Sequence, residues 1–398
     1  MLAGLRVIEL SAFVAAPLCG LALAQLGAEV IRIDPPGGNF DIARAPLAPS
    51  GVSLYWAFLN AGKRSVELDV RQADGCCLLG RLLADNGPDG GILLTNLPLE
   101  GDLSFDSLRR YRQDLIMIQL IGSPDGRSEV DYSVNCSVGF PGLTGPDGFG
   151  PINHVLPAWD AIAGMTLATS LLVAERKRRK TGIGTHVRVA LSDIGMWTAS
   201  NLSYIADVEV NNAHRMPDGN YLYGAYGDSF RTIDDRYLMV VAITNKQWRA
   251  LVKAVDLEGQ LTEAARAMGH VLDDEHGRYA AREFISACLR PWFSARSLDE
   301  VEAALRPFRV LYGVYRDFQQ MVREDPRCSE ANPMFVRIDH PGIGPVLTAG
   351  TPIDFGLRRP AQPAPRLGQD TDQVLAELAV TESTLQDLKA RGVVGGAK

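Results

Sequence analysis

The chain has no CxxC pair, no HExxH and no glycine-rich phosphate loop. Its six cysteines are Cys19, Cys76, Cys77, Cys136, Cys288 and Cys328, and apart from the adjacent Cys76 and Cys77 they are scattered. That spacing signals neither a disulfide framework nor a zinc site. The six histidines also lack ligand spacing, so no metal is expected. A net charge of −7 leaves no electrostatic footprint for nucleic acid. Long apolar runs are missing too. The most apolar segment, Ala158 to Ala174, is interrupted by Asp160 and followed by Lys and Arg, and it is shorter than a normal membrane span. Met1-Leu2-Ala3-Gly4-Leu5-Arg6 enters a strand directly, with no basic region, apolar stretch and cleavage site. A soluble, cytoplasmic protein without membrane or nucleic-acid partners is the expectation.

What is present is a full core. Of 398 residues 46% are hydrophobic, enough for two domains or one large one. Arg6–Leu10 reads as a buried parallel strand, Leu18–Leu26 as an apolar helix stopped by Gly27, and Glu29–Asp34 as a second strand. This β-α-β start opens a doubly wound sheet. Further strands are read at Ser65–Val70, Gly91–Thr95, Leu115–Leu120 and Thr185–Leu191. Helices are read at Gly75–Ala84 and Phe105–Tyr111, and after a cap at Ser192-Asp193. The strands are continuous apolar runs, as both-face burial requires. Residues 122–157 are rich in Gly, Pro, Asp and Ser and form a functional loop region. After Arg215-Met216-Pro217-Asp218-Gly219-Asn220 the character changes. A smaller α/β segment follows, with strands Ser229–Ile233 and Tyr237–Ala242 and helices carrying Trp248, Phe284 and Trp292. A second irregular stretch, Pro341 to Pro365, leads to helices at Thr371–Leu378 and Glu382–Arg391.

The β-α-β start invites a dinucleotide, because Asp34 ends the second strand where a ribose-binding acid would lie. The first turn, Ser11-Ala12-Phe13-Val14-Ala15-Ala16-Pro17, lacks GxGxxG, however, and Pro17 stands in it. A nucleotide at the carboxyl edge of the sheet would need different chemistry.

Asp160 carries the strongest chemical signal. In Asn153-His154-Val155-Leu156-Pro157-Ala158-Trp159-Asp160 it ends a loop and opens a helix, Ala161 to Ala174. An Asp there bonds the free N–H groups of the first turn, and those groups with the helix dipole keep it ionised. An ionised carboxylate on rigid structure becomes a nucleophile when an activated acyl group is brought to it. The plain alternative is a helix cap and nothing more. The basic run from Arg176 to Lys180 reads as cation placement before a Gly182 cap, phosphate binding being the alternative.

The chain resembles the class III CoA-transferase family, the group of formyl-CoA transferase and α-methylacyl-CoA racemase. The resemblance spans nearly the whole chain. It rests on the order and spacing of 4–10, Leu26–Asp34, Asn60–Ser65, Thr95-Asn96, Asp160 with Gly164, Arg179–Gly182 and Ala364–Asp372. Within the family, the runs Ser11–Leu18, Ser128–Asn135, Asn153–Asp160 and Gly219–Gly227 are most similar to members that move CoA between the two carboxyls of one mesaconyl (2-methylfumaryl) unit.

The resemblance implies a parallel-sheet large domain built from both chain ends (residues 1–215 and 331–398), a small α/β domain with linkers (216–330) and an interlocked homodimer. It implies an acyl-CoA substrate and no cofactor beyond that CoA. It makes Asp160 the catalytic nucleophile. Asn96 and the backbone near Phe13, Val14 and Ala15 would contact the CoA part. Lys63 and Arg64 match a basic pair beside the CoA phosphates, the alternative being a solvated strand entrance. Gly224 and Gly227 would be oxyanion donors or lid elements, or a simple turn into the small domain. Tyr132 stands where the racemases have a catalytic His, and a phenol is a poor acid/base at neutral pH. His154 reads as a structural loop histidine. Two departures, Asp34-Pro35-Pro36 and Ile121-Gly122, leave CoA contacts at those points open. An intermolecular CoA transferase, a racemase and a CoA-binding protein without turnover remain as other readings.

Overall fold

The computed structural model describes residues 1–84, 87–356 and 359–396. The chain packs as two compact units, one of residues 1–139, 154–213 and 326–398 and the other of residues 140–153 and 214–325. Residues 140–153 were expected in the large domain, and they pack with the second unit instead.

The first unit is a six-stranded, all-parallel sheet. Its strands are β1 (Arg6–Leu10), β2 (Glu29–Asp34), β3 (Arg64–Glu67), β4 (Ile92–Thr95), β5 (Ile116–Ile121) and β6 (Thr185–Ala190), in the order β3-β2-β1-β4-β5-β6. Register pairs such as Ile8 with Ile31 and Ile8 with Leu93 stack apolar residues across the sheet. The helices are α1 (Ala15–Gln25), α2 (Leu54–Leu59), α3 (Ala73–Ala84), α4 (Phe105–Leu108), α5 (Asp131–Ser137), α6 (Ala158–Thr181), α7 (Leu191–Asn201) and α8 (Tyr204–Asn211). One face of the sheet is closed by α3 and by helices Thr371–Glu377 and Glu382–Ala390. Val374, Leu375, Leu385 and Leu388 share a core with Ile31, Ile33, Val66 and Leu79. The C-terminal residues are also bonded to the start of β3, where the Ser65 N–H donates to Asp370 at 2.8 Å.

Several local expectations change. The long helix begins at Ala158, one turn before the expected start, and runs to Thr181. Gly182 closes it at φ +70°, as its lack of a Cβ allows. The helix after β6 starts at Leu191 with Ala190 at its N-cap, so Ser192 and Asp193 lie inside it and do not cap it. The region 122–157 contains α5, and the stretch from Pro341 contains half of an antiparallel hairpin, Phe335–His340 with Gly344–Ala349. Residues 357 and 358 of that stretch lie outside the described residues.

The second unit has a three-stranded antiparallel sheet of β7 (Tyr226–Arg231), β8 (Tyr237–Ala242) and β9 (Leu311–Val314). Its core joins Tyr226, Phe230, Leu238 and Val240 to Trp248, Ile285, Leu289 and Phe293 from helices Asn245–Ala254 and Arg282–Ser294. The rings of Phe230 and Phe293 stack at 4.2 Å.

Candidate active site

The strand order of the first unit reverses between β1 and β4, so the loops that leave these strands diverge and open a crevice at the carboxyl edge. Asn96, just beyond β4, spans that divide. Its Oδ1 accepts from the Ala12 N–H at 2.9 Å and its Nδ2 donates to the Ala12 carbonyl at 2.7 Å. Phe13 follows at φ +64°, a conformation costly for a residue with a Cβ, and its N–H donates to Asp41 Oδ2 at 2.9 Å. The loop is therefore held from two sides. It leads into α1, whose N-cap, Val14, gives no side-chain capping bond. Asn96 acts here through the backbone of Ala12, and the backbone of Phe13, Val14 and Ala15 is what the loop presents.

α1 packs along α6 where Gly164 faces the start of α1. A Cβ on Gly164 would stand 2.9 Å from the Ala15 carbonyl and 3.1 Å from Leu18. Asp160 is four residues before Gly164 and so shares its face. The Asp160 carboxylate thus lies on the side of α6 turned toward the 12–15 loop.

Asp160 is not the N-cap. It is the third residue of α6, whose N-cap is Pro157, and its side chain caps nothing. The cap comes from another helix. Asp131, buried at the start of α5, accepts the Trp159 N–H at 2.8 Å and the Asp160 N–H at 3.0 Å through the same Oδ2. Its Oδ1 has no hydrogen-bond partner among the described residues. The Trp159 indole is anchored on Asn135 Oδ1 at 3.1 Å. The expected electrostatics are therefore reversed. Burial, and secondarily the charge of Asp131, push the Asp160 pKa up to about 6 from an ordinary 3.8. Among the described residues no hydrogen-bond donor and no cation within ion-pair distance contacts the Asp160 carboxylate.

Tyr132 follows Asp131 on α5 and is about half exposed. Its hydroxyl donates to the Val155 carbonyl at 3.3 Å and ties α5 to the loop entering α6. His154 sits in that loop with its ring 6.4 Å from Trp159, and its Nδ1 is buried without a partner among the described residues.

Lys63 and Arg64 do not form the free basic pair for phosphates that was expected. Lys63 is buried, and its ammonium is used up by Glu9 (2.9 Å), the Pro17 carbonyl (2.8 Å) and Asn60 Oδ1 (2.9 Å). Burial lowers its pKa to about 8. Arg64, at the opening residue of β3 and hence at the amino edge of the sheet, holds Glu29 at 2.7 Å and Glu377 at 2.8 Å. Neither is free for a phosphate, and Lys63 is not a solvated strand entrance. Asp34 is likewise spent, since it is buried and bound to Arg32 at 2.8 Å. Gly224 and Gly227 belong to the second unit. The Leu222 N–H donates to the Gly227 carbonyl at 3.0 Å around Gly224 (φ +76°), a turn that runs into β7.

Residues that sequence reasoning missed are Asp131, Asp41, Arg44 and Tyr55. Arg44 lies over the rings of Tyr55 (4.9 Å) and Phe13 (5.7 Å). Burial, with the charges of Asp160 and Asp41, raises the Tyr55 phenol above its ordinary value against the pull of Arg44. No short motif links these positions to Asp160. Among the described residues no cluster of His, Cys, Asp and Glu is suited to a metal, and no helix is long and apolar enough to cross a membrane.

A parallel sheet with a helix-borne carboxylate beside the switch point offers a nucleophile for acyl transfer, and the chain belongs to CoA-transferase family III, whose model matches residues 2–371. It is 47% identical to the 2-methylfumaryl-CoA isomerase of Chloroflexus aurantiacus, over 100% of this chain and 98% of that protein. It is 27% identical to the succinate–glutarate CoA-transferase of Agrobacterium fabrum, over 96% and 97%. The fold matches the crystal structure of a CaiB/BaiF family protein from Brucella suis with a TM-score of 0.77 at 24% identity, over 95% of this chain and 99% of that one.

Proposed function

We propose that the chain is an enzyme that moves CoA between the two carboxyls of one mesaconyl (2-methylfumaryl) unit, converting the C1 thioester to the C4 thioester. The observation that carries this reading is the 47% identity, end to end, with a 2-methylfumaryl-CoA isomerase. Asp160 supplies chemistry suited to it. Its carboxylate attacks the C1 thioester carbonyl, forming a mixed anhydride and releasing CoA thiolate. The thiolate attacks the aspartyl carbonyl, which gives an aspartyl-CoA thioester and a free dicarboxylate. The C4 carboxylate attacks that thioester, and the thiolate returns to the C4 carbonyl and frees Asp160. Each intermediate retains the activation of the thioester, so no ATP is consumed. Each step passes through an oxyanion that needs backbone N–H donors. The Phe13 N–H is already given to Asp41, which leaves Val14 and Ala15 as the candidates in this loop. Retaining the acid gives the second attack the effective molarity of an intramolecular step.

No resident metal or cofactor enters this scheme, because CoA arrives with the substrate. A homodimer working in the cytoplasm completes the reading. Its support is a set of exposed apolar residues, Met196 and Trp197 on α7, Leu202 just after it, and Ile205, Val208 and Val210 on α8, which a second copy would cover. The second reading, transfer to an acid from solution, is favoured by the likeness to the succinate–glutarate enzyme. Isotope labelling separates the two. Starting from the C1 ester with excess labelled free mesaconate, an intramolecular enzyme yields almost unlabelled C4 ester. Full labelling would establish the intermolecular reaction, and absence of any C4 ester would remove the mesaconyl substrate.

A further inference from the structure

We propose that Arg44 is the specificity-determining residue of this site and binds the substrate carboxylate that is not in thioester linkage. The inference rests on the acyl-CoA reading above and adds to it the residue that selects a dicarboxylyl group.

The basic residues along the first three strands are already committed. Arg6 is paired with Glu29 at 2.5 Å and Arg64 with Glu29 and Glu377. Arg32 is paired with Asp34 and Lys63 with Glu9. Arg44 is exposed, and among the described residues it has no carboxylate within ion-pair distance.

An exposed arginine without a partner is usually a floppy one, and this one is held. The Arg44 N–H donates to the Asp41 carbonyl at 3.1 Å, and the Arg44 carbonyl accepts from the Ser53 hydroxyl at 2.5 Å. The same Ser53 caps α2 through the Trp56 N–H at 3.1 Å, and α2 carries Tyr55. The guanidinium then lies 4.9 Å from the Tyr55 ring centroid and 5.7 Å from that of Phe13. The guanidinium also donates to the Tyr55 phenol, which orients it, and the rest of its planar fork fits a carboxylate.

Position decides which anion takes the fork. Phe13 belongs to the loop that faces Asp160, and the Tyr55 phenol feels the charges of both Asp160 and Arg44. The acyl end of an acyl-CoA must lie at Asp160, whereas the CoA phosphates lie at the far end of the pantetheine arm. The anion beside Arg44 is therefore the second carboxylate of the acyl group. Arg44 would also keep the free dicarboxylate in the site during the exchange, which an intramolecular transfer requires.

The test compares two thioesters that differ only in that carboxylate. Mesaconyl-C1-CoA and (E)-2-methylbut-2-enoyl-CoA are each incubated with the full-length enzyme, and the Asp160 adduct is trapped with hydroxylamine. Wild type should favour the dicarboxylyl ester by about 10- to 100-fold in rate of adduct formation, the size of a charged hydrogen-bonded pair. Arg44→Gln should erase most of that preference, and Arg44→Lys should restore only part of it. Arg44→Gln should also admit labelled free mesaconate into the C4 ester. A preference that persists in Arg44→Gln, or a loss equal for both esters as a CoA contact would give, would overturn the inference. Formation of the C4 ester by the wild type tests the underlying function separately. If none forms, that function fails. If it forms while the preference survives Arg44→Gln, only the role of Arg44 fails.

Discussion

Two groups of buried acids lie near the 12–15 loop of the first unit, and they are treated oppositely. Below the loop, Glu9, Asp34 and Asp41 are interleaved with Arg32 and Lys63. Arg32 reaches Asp34 at 2.8 Å, Ser11 Oγ at 2.9 Å and Asp41 at 3.5 Å, and Lys63 takes Glu9. At the start of α6, buried Asp131 lies beside the partly buried Asp160, and among the described residues no cation pairs with either. The first group is close to neutralised and positions the backbone, because Asp41 also pins Phe13. The second carries charge that the protein leaves uncompensated. An acid surrounded by cations has its lone pairs engaged, and one left bare keeps them for an electrophile.

Removing the bare charge tests that contrast most severely. Asp160→Asn should cut turnover by about 10⁴-fold, as loss of an essential carboxylate can. It should also stabilise the protein at pH 7. The folded pKa of Asp160 lies above its ordinary value, so the ionised group weakens the fold at neutral pH, and this penalty fades as pH falls from about 6 toward 4. A gain of about 1–3 kcal/mol in a denaturant titration at pH 7 is expected, vanishing near pH 4. A less stable variant at pH 7 would break the comparison. By the same titration, wild-type kcat/KM should fall below a limb near pH 6.

Removing a cation from the neutralised group should act on stability first. Lys63→Met leaves Glu9 buried beside an apolar chain and should cost about 3–5 kcal/mol, read as a lower midpoint in urea. A neutral outcome would mean that this cluster is no more compensated than the Asp160 pair.

The smallest effect sharpens the contrast. Asp131→Asn keeps an oxygen for the Trp159 and Asp160 N–H groups and removes a charge. The acid limb should move down by only part of the full shift, since burial is its larger cause. A limb that stays in place would show that Asp131 acts only as a cap.

Much of the sheet was legible. β1 and β2 fall on the residues their apolar runs mark, because a strand buried on both faces needs such a run wherever it pairs, and β8 falls where it was read although its burial alternates. The hairpin at Phe335–His340 and Gly344–Ala349 was not legible, since Gly344 and Pro345 read as irregular chain. α5 was hidden for a related reason. Asp131-Tyr132-Ser133-Val134-Asn135 is polar and weakly helical by propensity, and it folds as a helix by packing on α6 and α7. At the site, Asp160 stood out as an acid on an apolar helix. Lys63 misled, because a charged residue before a strand is exposed far more often than buried.

The sequence by itself determined the parallel sheet, the family and the helix that carries Asp160, because these rest on local runs and on motif spacing along the chain. Tertiary structure decided the state of that carboxylate. Asp131 caps α6 from 28 and 29 residues away, Lys63 is consumed by Glu9 at 54 residues, and Asn96 clamps Ala12 at 84 residues. Burial and pairing depend on distances in space, and no local pattern encodes which distant group will arrive to satisfy a charge or leave it bare.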